Sequence, residues 1–403
     1  MSAQRSEREV IGYLAFMGIL LAFGIDASLP AFGELRAAFG LDAGSNRISL
    51  IVTLYFMGMA FGQVVYGPLA DRFGRVPVLN AGVGLYCLGA VGAIVAPNLE
   101  FLLASRLVWG LGAASPGALR ATIARDLYSG DQMARVIAMM MGVFMLGPVV
   151  APIIGEGILT VASWQWIFGA AIILAAVQLM WTHRFGETLD PANRRPLELA
   201  EIVRGFLIVF RNRATLAYAM ALTFGFGAFI VFLGSSQPVI DRIYGRADQF
   251  ALWFAIASVL MAVAFFSVNR FIERHGAHRV AVAVASVSVA SSLLLFLIAL
   301  TQDGVPSFWV WFVLIAVASS AITLLTPTCY SLALEPMGEL AGTASGVVGF
   351  VSTAGGAVLA AIVDASIDAT VTPMAVGYVG YGLIALGFLL LAGARQRVAE
   401  RVA

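Results

Sequence analysis

Apolar residues in this chain come in long blocks instead of the alternating or one-faced patterns of soluble strands and helices. A helix needs ~20 mostly apolar residues to cross the ~30 Å hydrocarbon layer of a bilayer. Such blocks lie near residues 10–31, 48–69, 78–96, 101–124, 136–160 and 165–182, and again near 214–238, 249–268, 279–300, 307–333, 342–363 and 373–394. The pattern predicts an all-α polytopic membrane protein with twelve transmembrane helices in two six-helix bundles. The first bundle takes residues 1–182 and the second residues 214–403, with 183–213 as a cytoplasmic linker. Within the linker Leu197, Ile202, Phe206 and Val209 recur at helical spacing, which predicts a short interfacial helix.

Composition agrees with lipid as the solvent. Of 403 residues 60% are hydrophobic and 12% charged, against roughly 25% charged in a soluble domain. Net charge is +1, so no basic patch argues for nucleic acid. All 24 basic residues are arginine, and their placement tests the span count. With the N-terminus inside, the inner loops and both termini hold 19 arginines. The outer loops hold four (Arg36, Arg47, Arg242, Arg246), and Arg106 falls within a span. This positive-inside bias predicts an inner-membrane protein with cytoplasmic termini. The 10–31 block is too long for a signal-peptide core of roughly 7–15 residues. Cys87 and Cys329 lie far apart in apolar segments and read as inert buried thiols.

The two halves echo each other. ADRFGRVPVL follows the second span and NRFIERHGAHRVAV the eighth, with Gly74 and Gly276 separated by 202 residues. Parallel six-helix repeats are a transporter construction. GPLADRFGRVPVL, from Gly67, resembles the signature loop between the second and third helices of the major facilitator superfamily. RLVWGLGAA, from Arg106, resembles a fourth-helix pattern of that superfamily, with Trp109 in place of the usual Gln. GVFMLGPVVAPIIGEG, from Gly142, is similar to the fifth-helix motif of its antiporter branches. With DASLPAF at Asp26, RDLY at 125–128, SWQWIF at 163–168 and AGTASG at 341–346, the chain resembles twelve-span drug:proton antiporters. Those of the bicyclomycin and chloramphenicol resistance type are nearest.

The resemblance implies the major facilitator fold and a gating loop made of Gly67, Asp71, Arg72, Gly74, Arg75 and Asp126. Gly67 and Gly74 permit close approach and a tight turn. Asp71 suits the dipole at the start of the eleventh span, and Arg75 suits Asp126 across the interface of the halves. An ordinary basic loop obeying positive-inside is the plainer reading. Gly142, Gly147, Pro148, Pro152 and Gly155 make a kinked, thin fifth span suited to tight packing at that same interface.

Charges inside spans are expensive and so are the first candidates for chemistry. Asp26, Arg106 and Glu156 fall at nearly one depth near the outer ends of spans 1, 4 and 5. They form either a proton-coupling group, with Arg106 tuning a carboxylate, or side chains that snorkel to the headgroups. Glu156 stands where the family usually has glycine. The resemblance implies alternating access, with substrate and proton competing for Asp26, the proton gradient as energy source, and a monomer as the working unit. No cofactor or metal is expected, since His183, His275 and His278 all lie in loops. Phe23, Trp109, Met145 and Phe232, with Gln237 and Thr323, are cavity candidates for a small amphiphilic compound. The alternative is an uptake symporter or facilitator for a nutrient, although the spans are poor in Asn and Gln. A membrane enzyme is disfavoured: no HExxH or GxSxG with partners is present.

Overall fold

The computed structural model describes residues 6–42, 44–194, 196 and 199–402. Its α-helices are α1 (Glu7–Asp26), α2 (Phe32–Ala38), α3 (Leu50–Phe73), α4 (Arg75–Ile94), α5 (Leu99–Leu127), α6 (Gly130–Leu159) and α7 (Gln165–Phe185). They continue with α8 (Leu199–Arg211), α9 (Arg213–Pro238), α10 (Phe250–His275), α11 (Ala277–Thr301), α12 (Phe308–Leu334), α13 (Ala341–Ser366) and α14 (Thr372–Val402). All but α2 and α8 are long, which makes the twelve expected spans. A helix satisfies its own backbone polar groups, and that is why lipid tolerates it. Eleven described helices are long and apolar enough to cross a membrane. The twelfth long helix, α5, is less apolar because Gly, Ala, Ser and Pro crowd its middle and Arg106 and Arg120 ride on it.

Local chemistry marks the helix starts. The Ser6 side chain accepts from Glu9 N at the start of α1, Asn98 from Phe101 N at the start of α5, and Asn212 from Ala214 N and Thr215 N at the start of α9. The first span ends earlier than its apolar run: α1 stops at Asp26, and residues 27–31 turn into α2.

Two compact units emerge, one of residues 1–42 and 54–198, the other of 43–53 and 199–403. In the first, α1 packs on α5, α6 and α7, and α4 packs on α5 and α7. Small residues let backbones touch: a Cβ on Gly89 would meet the Trp109 backbone, and one on Gly112 the Tyr86 backbone. In the second, α9 packs against α12, α13 and α14. Large apolar side chains such as Leu88, Ile173, Met180, Val263 and Leu390 stay exposed, as lipid-facing positions should be.

The amphipathic linker helix forms as α8. Phe206 and Val209 of the predicted face pack in the second unit, where Phe206 meets the Phe350 ring at 5.8 Å. Val203, Leu207 and Phe210 leave a second apolar face exposed. Leu197 and Arg195 lie outside the described residues.

Candidate functional site

In the first unit the loop after α3 turns at Gly74, whose φ of +103° favours glycine. Arg75 donates through Nε to Asp126 at 2.8 Å and through Nη1 to Asp71 at 2.6 Å. The expected Arg75–Asp126 pair therefore forms, but both residues belong to the first unit, so it is an intra-bundle clamp and not a pairing of the halves. Glu187 is the partner that the sequence reading missed. Its carboxylate accepts from the backbone of Arg75 at 2.9 Å and of Val76 at 3.1 Å, capping an α4 whose first flanking residue, Gly74, has no side chain. No motif marks it, since it sits in the linker 112 residues from Arg75. Arg72 lies over the Phe73 ring at 5.6 Å. Gly67 faces open space, so the expected close approach is not made there.

The glycine-proline helix is α6, and it packs on α1 within the first unit. A Cβ on Gly147 would strike Ala22, and one on Gly155 the carbonyl of Ala27. Gly142, Pro148 and Glu156 are half-buried. Pro148 and Pro152 both lie inside the helix.

Asp26 is the last residue of α1 and 2% exposed. Its Oδ1 has no hydrogen-bond partner, and no ion pair to it is found among the described residues. The Gly155–Ala27 contact puts Asp26 and Glu156 on one level. Arg106 is fully buried, with its guanidinium 4.7 Å from the Tyr55 ring centroid and 4.8 Å from that of Trp109. Cation–π contacts of this kind are worth ~0.5–2 kcal/mol. The Tyr55 hydroxyl donates to Leu21 O at 3.3 Å.

The cavity candidates fare unevenly. Trp109 is a core residue held edge-on by Tyr86 and Phe168, each at 5.3 Å. Phe232 stacks on Phe254 at 5.4 Å, Phe23 is buried, and Gln237 donates to Asp241 at 3.0 Å. Aromatic residues at helical spacing pack bundles as readily as they line cavities, and here packing takes three of them. Met145 and Thr323 stay half-buried, with Thr323 donating to Ser319 O at 2.9 Å.

Two buried charges escaped the sequence reading. Arg120 counts among the inner-side arginines in the charge tally although it lies in the 101–124 run. It is 9% exposed inside α5, with its guanidinium 4.5 Å from the Phe144 ring centroid. Asp364 lies just past the eleventh apolar run of 342–363, whereas α13 continues to Ser366. It is 3% exposed, and Ser235 of α9 donates to its Oδ1. One residue away, the Gly234 carbonyl accepts from Ser49 at 2.9 Å, and Arg242 donates to Asn46 at 2.9 Å. Asn46 in turn donates to Ile367 O. Burying an ionisable group within a span is costly, so these positions are not incidental.

A family profile described as Major Facilitator Superfamily matches residues 14–360. The chain belongs to the major facilitator superfamily. Among curated members, it is 33% identical over 381 residues to a bicyclomycin resistance protein homolog of Haemophilus influenzae, covering 93% of each chain. It is 25% identical over 389 residues to multidrug resistance protein D of Escherichia coli, covering 94% of each. Among solved structures, a D-xylose-proton symporter superposes with a TM-score of 0.76 at 17% identity, covering 96% of this chain and 97% of that one. At that identity the likeness shows the shared fold. The superfamily is one of transporters and not of enzymes, and this member is a multi-pass membrane protein.

Proposed function

We propose that this major facilitator transporter exports a small amphiphilic compound in exchange for protons, working by alternating access in the inner membrane with both termini cytoplasmic. The buried Asp26 carboxyl carries the reading: among the described residues it has no ion pair, and it sits level with Glu156 at the Gly155–Ala27 contact. A carboxyl so placed can bind and release a proton as its surroundings change. Relatives named as drug-resistance proteins support the choice of a drug-like substrate. Asp364 is the second carboxyl available for protons, and Glu156 the third. The carrier needs no cofactor and acts as a monomer with substrate, protons and lipid as partners.

The test is the purified protein in liposomes enclosing a pH-sensitive dye, challenged with amphiphilic drugs and with sugars. Proton movement driven by an amphiphile and absent in Asp26→Asn is the expected result. Proton movement driven only by sugars would replace export with uptake symport, and substrate flux without protons would make the protein a facilitator. A reporter fused after Arg397 should read cytoplasmic, because Arg395, Arg397 and Arg401 obey the positive-inside rule. A periplasmic reading would invert the proposed orientation.

A further inference from the structure

Arg120 is a cation that the first unit buries without neutralising. Among the described residues its guanidinium makes no hydrogen bond and no ion pair, and its Nη1 is buried with no partner. The acids near its end of α5 are already engaged: Asp71 and Asp126 hold Arg75, and Glu187 caps α4. Snorkelling does not explain the position. Arg120 lies seven residues before the end of α5, about 10 Å at 1.5 Å per residue, yet its side chain turns inward. Nη1 would lie 2.9 Å from a Cβ built on Gly18, the twelfth of twenty residues in α1. The same hypothetical Cβ would be 3.2 Å from the Phe144 ring. The absence of a side chain on Gly18 is thus what admits the guanidinium, and Phe144 of α6 holds one of its faces. Three helices position the group, and its donors remain unspent.

We infer that Arg120, framed by Gly18 and Phe144, receives a carboxylate or similar oxyanion carried by the transported amphiphile. A guanidinium fork matches a carboxylate bidentately, and an aromatic face beside it suits the apolar body of such a molecule. Low local dielectric strengthens the pairing, and the anion relieves the cost of the buried cation. A phospholipid phosphate has the same chemistry, but the inward direction of the side chain, toward the middle of α1, favours a substrate that enters the bundle. The inference rests on the transport reading only for the word substrate; binding itself is measured without a gradient.

The experiment uses the full chain in phosphatidylcholine nanodiscs, with dansylglycine as the carboxylate probe and its methyl ester as the neutral twin. Wild type should prefer the acid, and Arg120→Gln should weaken the acid about tenfold or more while leaving the ester unchanged. Arg120→Lys should restore most of the loss. Gly18→Ala, which crowds Nη1 without touching the charge, should reduce the same preference, and it reads the site even where Arg120→Gln fails to fold. Equal affinity for the two probes in wild type, or parallel loss of both in the variants, would overturn the assignment. Acid binding abolished by adding phosphatidylglycerol would also overturn it, giving the site to a lipid headgroup. Failure of proton exchange in liposomes would sink the antiport reading and leave the probe ratio standing.

Discussion

The two bundles share a backbone device and differ in what they mount on it. Gly74 and Gly276 both flank the start of a long helix with positive φ, +103° and +81°. Around Gly74 sits a clamp of Asp71, Arg75, Asp126 and Glu187. Around Gly276 the exposed Arg274 has no ion pair among the described residues, and a Cβ on the glycine would meet nothing. Inside the spans the contrast repeats. In the first unit α5 carries the buried Arg106 and Arg120, whereas in the second α12 carries no charged residue and the buried acid is Asp364 on α13. Repetition preserved the turn, which backbone sterics enforce. The costly charges are distributed unequally, and that inequality is where chemistry should be sought.

The largest expected effect separates the acids. Asp26→Asn mimics the protonated carboxyl permanently, so net proton-driven transport should fall to background while substrate-for-substrate exchange persists. The pH dependence of substrate binding should flatten, because the group linking protons to substrate is gone. Asp364→Asn should slow transport yet leave some proton coupling. Coupling that survives Asp26→Asn and vanishes in Asp364→Asn would move the main proton site to the second unit, and loss only in Glu156→Gln would move it to α6.

A smaller contrast concerns the loops. Arg75→Ala removes the residue that ties Asp71 to Asp126 and should reduce transport about tenfold or more, a loss equivalent to ~1.4 kcal/mol. Arg274→Ala, at the matching loop, should stay within twofold of wild type. Unchanged transport in both Arg75→Ala and Asp71→Asn would make that loop a mere topology signal, and an equal tenfold loss in Arg274→Ala would erase the contrast between the loops. Asp71→Asn should fall between them, since it leaves the Asp126 half of the clamp in place.

The smallest effect is on stability alone. Gly276→Ala forces a side chain into positive φ at about 1–3 kcal/mol, with open space around it. Gly74→Ala adds a collision, because the new Cβ would lie 2.5 Å from Glu187 Oε2. Thermal unfolding in detergent should therefore drop further for Gly74→Ala than for Gly276→Ala. Glu187→Gln should account for part of the difference, since it weakens the cap on α4. An equal drop for the two glycines would mean that Glu187 yields freely.

Much of this protein is legible in its residues because lipid imposes one strong rule. A span must be apolar and must satisfy its own backbone, so the long runs, the arginine asymmetry and the glycine-marked repeat reveal the twelve helices and the fold class. The loop motif likewise announced Arg75 and Asp126, whose residue types and spacing are local. What the linear pattern does not carry is the direction in which a side chain points and which distant residue meets it. Glu187 reaches α4 from the linker; Trp109 turns into the bundle core; Gly147 and Gly155 press against α1. Arg120 passes for a loop cation until Gly18 and Phe144 are seen around it, and Asp364 passes for a loop acid until α13 runs past it to Ser366. Burial is a property of the neighbours, and neighbours on other helices exist only once the bundle is packed.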